Sequence, residues 1–79
     1  ESFVGTISSV HSHGFFVRLD NTAEGFVGFD PVHSEHFQFD PKLQTLMGEE
    51  TGRTYRLGQR VKVRLKQVDM RDRSIDFEL

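Results

Sequence analysis

The stretch Gly14-Phe15-Phe16-Val17-Arg18-Leu19-Asp20-Asn21-Thr22-Ala23-Glu24-Gly25-Phe26-Val27-Gly28-Phe29 decides the fold. Its first part alternates. Phe15, Val17 and Leu19 fall on one side, Phe16 and Arg18 on the other, as in a half-buried strand. Asp20-Asn21-Thr22-Ala23 has turn chemistry, because Asp and Asn side chains bond their own backbone two residues on. Residues 24–29 then predict a further strand, closed by Asp30-Pro31.

Working outward, Phe3-Val4-Gly5-Thr6-Ile7-Ser8-Ser9-Val10 is β-branched and half-alternating, and reads as the strand before this pair. His11-Ser12-His13-Gly14 joins them as a turn or bulge. Further along, Val61, Val63 and Leu65 alternate with Lys62, Arg64 and Lys66, which predicts a strand with a cationic outer row. Asp69-Met70-Arg71-Asp72-Arg73 is a polar turn. Ser74-Ile75-Asp76-Phe77-Glu78-Leu79 alternates again, with Ile75, Phe77 and Leu79 expected inward. Five short strands in so small a domain favour an all-β, antiparallel closed barrel, which leaves no exposed sheet edge. Residues 30–59 are the irregular part. They predict an inserted segment, either a helical turn or a small hairpin around Asp40-Pro41, with turns at Thr51-Gly52 and Leu57-Gly58.

The chain has 79 residues, enough for one domain. Expected stability at this length is about 4–12 kcal/mol. The absence of Cys excludes disulfides, thiolate zinc sites and a Cys nucleophile. No apolar run approaches the ~20 residues of a membrane helix, and no signal peptide is evident. The chain opens at Glu1 without Met, and reads as a fragment of something longer.

Net charge is −2, but it is unevenly placed. Residues 53–73 carry a balance of +6, residues 1–52 a balance of −6. Such asymmetry hints at a polyanion-binding stripe, although a solvated basic strand would look the same. Catalytic patterns are lacking: there is no Gly-rich phosphate loop and no Ser in a strained elbow. His11-x-His13 and His33-x-x-His36 lie near Asp30, Glu35 and Asp40, but zinc needs three or four convergent ligands. Solvated loop histidines are the better account, so neither a catalytic residue nor a metal site is expected.

Gly5-Thr6-Ile7-Ser8-Ser9-Val10, His13-Gly14-Phe15-Phe16-Val17-Arg18-Leu19 and Glu24-Gly25-Phe26-Val27 together resemble the first half of an S1-type RNA-binding domain. Phe37-Gln38-Phe39-Asp40, Leu46-Met47-Gly48-Glu49, Thr51-Gly52-Arg53-Thr54-Tyr55-Arg56-Leu57-Gly58 and Arg73-Ser74-Ile75-Asp76-Phe77 narrow the likeness. They resemble the C-terminal S1-type domain of bacterial ribonuclease R, across residues 1–79. The resemblance implies a five-stranded oligonucleotide-binding barrel, with single-stranded RNA across its second and third strands. It implies a module of a cytoplasmic 3′-to-5′ exoribonuclease, working beside the parent chain's catalytic and other domains. Magnesium would belong to that separate catalytic domain. No cofactor, membrane or small-molecule substrate is expected for this one.

Carried over by motif, the RNA-binding positions are His13 and Phe16 in the loop and strand, and Asp69 and Arg73 before the last strand. Two positions depart from the family: His13 replaces an aromatic ring, and Gly28 stands where a His is frequent. Strand parity adds Arg18, beside Phe16 on the outer face, and Phe26, which shares a side with Gly28. Lys62, Arg64 and Lys66 also point outward, as phosphate contacts if their row joins the RNA face. The rival reading is a protein-docking domain with little RNA affinity.

Overall fold

The described residues, 2–29, 35–71 and 74–79 of the computed structural model, form strands joined by turns. The strands are β1 (Ser2–His11), β2 (Gly14–Leu19), β3 (Glu24–Gly28), β4 (Phe37–Asp40), β5 (Thr45–Gly48), β6 (Thr54–Arg56), β7 (Arg60–Asp69) and β8 (Ser74–Glu78). Five close into a barrel in the order β1-β2-β3-β8-β7. The ten-residue β1 makes this possible by tilting: Ser2–Thr6 pair with β7, whereas Gly5–His11 pair with β2.

Sequence alternation suggested antiparallel pairing throughout, and here the structure corrects it. β3 and β8 run parallel, with Phe26 opposite Asp76 and Val27 opposite Phe77. The reason is arithmetic. Directions cannot alternate around a ring with an odd number of strands, so one neighbouring pair must run the same way.

Two bulges explain where simple alternation fails. In β1, Ile7 faces Val17 and Ser9 faces Phe16, leaving Ser8 as an extra residue. Inward parity therefore shifts from Ile7 to Val10, both buried, and the half-alternation in the sequence is this bulge. In β7, Leu65 faces Phe77 and Gln67 faces Asp76, so Lys66 is extra. Leu65 and Leu79, both expected inward, are 49% and 41% exposed. The β1–β7 register reaches Arg64, opposite Ser2, so Leu65 lies past that pairing; Leu79 follows the end of β8.

The barrel interior holds Ile7, Val10, Phe15, Val17, Leu19, Val27, Val61, Val63 and Phe77. Of the two forms expected for the insert, a helical turn or a hairpin, the structure has the hairpin, extended by a third strand into the antiparallel sheet β4-β5-β6. Asp40 Oδ1 accepts the amides of Lys42 and Leu43 at 3.0 and 3.2 Å, which sets the turn. The inner face of this sheet carries Phe37, Phe39, Leu46 and Tyr55, which pack onto the core. Tyr55 reaches Phe15 at 5.1 Å between ring centroids, and Phe37 stacks on Phe29 at 4.1 Å. The insert is thus a plug.

A carboxylate clamps the plug's far turn. Glu35 accepts the Glu50 and Thr51 amides at 2.8 and 2.9 Å and the Thr51 hydroxyl. A Cβ at Gly48 would meet this carboxylate and require it to shift from its hydrogen bonds. The Thr51 hydroxyl, then its amide, hold the Glu35 carboxyl below its ordinary value of 4.5. A lowered folded-state pKa means stability that is full above the unfolded value and lost as pH falls through the folded one. Glu35→Gln should therefore lower the melting temperature at pH 7 and flatten its decline between about pH 5 and 3. Melting curves of both proteins that stay parallel across that range would show that the clamp contributes nothing.

Candidate nucleic-acid interface

The registers lay one row of outward residues across the barrel: Ser9, Phe16, Phe26, Asp76 and Gln67. Phe16 and Phe26 are direct cross-strand partners, with ring centroids 4.9 Å apart and planes at 58°. Both are half-buried, because each shields one side of the other. His11 abuts Phe16 edge-on at 5.6 Å, and its imidazole shares a 3.2 Å hydrogen bond with the Ser9 hydroxyl. A Cβ at Gly14 would lie 2.0 Å from the Val27 carbonyl oxygen and 2.8 Å from Phe26 Cζ, so only bare backbone lets β2 and the Phe26 ring approach this closely. The result is a continuous aromatic surface with polar margins.

His13 is exposed in the β1–β2 turn. Its carbonyl accepts the Phe29 amide at 2.9 Å, which pins the turn beside the end of β3. His13, Phe26, Gly28, Lys66 and Asp76 line one open hollow of about 400 Å³. Lys66 arrives there through the β7 bulge, a device that re-aims side chains. On the other flank, Arg18 pairs with Glu24 at 3.8 Å, and Ser8 donates to the same carboxylate at 2.6 Å.

The cations of the basic stretch meet different partners. Arg60 donates to Asp20 at 3.1 and 3.4 Å and to Thr6 at 3.1 Å, binding β7 to β1 and to the turn after β2. That bidentate contact holds the Asp20 carboxyl below its ordinary value and raises the arginine. Arg64 pairs with Glu78 at 3.8 Å. Lys62 lies opposite Val4 on the β1–β7 seam, away from Phe16 and Phe26. Of Lys62, Arg64 and Lys66, the structure brings Lys66 to the aromatic row.

Asp69 ends β7, and its Oδ1 accepts the Arg71 amide at 2.9 Å. Arg73 and His33 lie outside the described residues. Sequence reasoning passed over His11 and Asp76. Alternation around Ile75 and Phe77 would have placed Asp76 outward, but which strand lies beside it is not readable from β8 alone. His11 was hidden by the Ser8 bulge, which sets it next to Phe16.

Comparisons with known proteins agree with this geometry. The family described as the S1 RNA binding domain matches residues 1–79. Ribonuclease R of Escherichia coli (strain K12) is 50% identical over 78 residues, covering 98% of this chain and 10% of the relative. Ribonuclease R of Aquifex aeolicus is 40% identical over 80 residues, covering 100% and 11%. The structure of Mycoplasma genitalium RNase R in complex with ribose methylated single-stranded RNA superposes with a TM-score of 0.85 at 28% identity, covering all of this chain and 12% of that one. The chain therefore spans about a tenth of the length of these relatives. A closed five-stranded barrel, an aromatic row on β2 and β3, and a match over its whole length make this chain a member of the S1 RNA-binding domain family.

Proposed function

We propose that the chain is the RNA-holding module of a larger ribonuclease R-like 3′-to-5′ exoribonuclease. It grips single-stranded RNA on the Phe16–Phe26 row and directs the 3′ end to a catalytic domain elsewhere in the parent. The observation that carries this reading is the paired rings, 4.9 Å apart, bordered by Lys66 and Arg18. Bases stack on such rings whatever their identity, while cations track the backbone. Isolated affinity should fall near 10⁻⁴–10⁻⁶ M, roughly the range of non-specific electrostatic binding. His13 supplies a ring at the turn, and Asp69 and Arg73 are proposed contacts by family likeness.

Salt dependence tests the reading. With two or three phosphates contacted, log K should fall against log[salt] with a slope of about −1.4 to −2. Lys66→Ala should reduce that slope by about 0.7, whereas Lys62→Ala, on the β1–β7 seam, should leave it unchanged. A slope near zero would favour docking to other parts of the parent chain. That second reading draws on Leu43 and Met47, exposed at 71% and 48% beside Phe39 on the plug.

A further inference from the structure

Asp76 is a half-buried carboxylate at the edge of the aromatic pair, directly across from Phe26 on one side and Gln67 on the other. Its position is unexpected for a face that should attract a polyanion. The other carboxylates nearby are engaged: Glu24 by Ser8 and Arg18, and Glu78, which also lines the hollow, by Arg64 at 3.8 Å. Asp76 has no side-chain hydrogen bond or ion pair among the described residues. Asp76 lines the hollow together with Phe26, Gly28, His13 and Lys66. An ionised carboxylate is purely an acceptor, with room for several donors.

Resting on the RNA-binding reading above, we infer that Asp76 makes this hollow a base subsite that prefers guanine. A base stacked on Phe26 presents its Watson–Crick edge along the sheet surface, which is how single-stranded RNA is commonly read. Guanine offers N1–H and the N2 amino group side by side, a two-donor edge that fits one carboxylate. Adenine and cytosine offer one amino group beside a ring-nitrogen acceptor. Uracil flanks its single N3–H with two carbonyls, which repel a carboxylate. The expected order is guanine first, adenine and cytosine next, uracil last. Lys66 serves the adjoining phosphate and offsets the local negative charge. Phosphate contacts and stacking hold any strand, and Asp76 sets which base rests in the hollow.

The test is anisotropy titration of the 79-residue chain with labelled U4GU4, U4AU4, U4IU4 and U9. Bidentate pairing predicts that U4GU4 binds about fivefold or more tightly than U9. Adenine controls for purine stacking, so U4GU4 must also exceed U4AU4. Inosine keeps N1–H but lacks the amino group, and should fall between guanine and uracil. Asp76→Asn has nearly the same volume and both donor and acceptor groups. It should bring all four oligonucleotides within about twofold of one another, without weakening U9. Equal binding of U4GU4 and U4AU4 by the unaltered chain, or a guanine preference that survives Asp76→Asn, overturns the inference. If all four bind equally and all are weakened by Phe16→Ala, the RNA-binding reading stands and the guanine subsite alone falls. If none binds, both fall.

Discussion

Phe15→Ala should destabilise the domain by about 3–5 kcal/mol, the usual cost of removing a fully buried aromatic side chain. Phe15 is completely inaccessible, lies between Val10 and Val27 in the sheet, and meets Tyr55 at 5.1 Å and Phe29 at 5.7 Å. It joins barrel to plug, so its loss would open a cavity bounded by both. Neither wall can collapse easily, because each is fixed by its own hydrogen-bonded strands. Against a total of about 4–12 kcal/mol, such a loss would leave a substantial unfolded population or push the domain close to one. The measurement is the urea midpoint followed by far-ultraviolet circular dichroism. A loss below about 1 kcal/mol would mean that plug and barrel are not packed through this ring. Phe15→Leu should recover most of the difference, since it restores volume.

The neighbouring ring should behave in the opposite way. Phe16→Ala should weaken binding of single-stranded RNA by about 1–3 kcal/mol, the cost of losing one base-stacking aromatic. From alternation alone, Phe16 would be a free ring whose removal leaves stability untouched. The structure changes that expectation, because Phe16 packs on Phe26 and receives the edge of His11. A stability loss of about 0.5–1.5 kcal/mol should therefore accompany the binding loss. Affinity must be measured well below the melting temperature, where both proteins are folded. Phe26→Ala and the double variant complete a cycle, and touching rings should give clearly non-additive losses. Unchanged RNA affinity in folded Phe16→Ala would move the binding face elsewhere on the barrel.

Adjacent residues with such different roles show what could be read in the sequence. Alternation over residues 14–19 assigned Phe15 inward and Phe16 outward, and the barrel follows from repeating that reading along the chain. Three features escaped it, each for a physical reason. The Ser8 and Lys66 bulges shift parity by one residue, and neither residue type announces a bulge. The β3–β8 pairing joins strands far apart in sequence, so Asp76 carried no sign that Phe26 would be its neighbour. The plug was legible only as a helical turn or a hairpin around Asp40-Pro41. Its third strand, Thr54–Arg56, is too short to show a period. Charge left two readings open, a polyanion stripe or a solvated basic strand, because sequence does not show which acids reach the cations: Arg60 pairs with Asp20 and Arg64 with Glu78.

The parallel closure also has a consequence in time. A chain is made from its N-terminal end, so Phe16 and Phe26 leave the ribosome well before Asp76 does. Val27 meets Phe77 across this seam, a contact that closes a long loop and forms late for entropic reasons. An unfinished chain can pair β1, β2 and β3 as successive hairpins, but it presents Ser9, Phe16 and Phe26 without Asp76 and Gln67, and an open edge beside them. The outward row from Ser9 to Gln67, the proposed RNA face, is completed by the same event that completes the barrel. Nascent chains would therefore be poor competitors for RNA until the last strand of the barrel has docked.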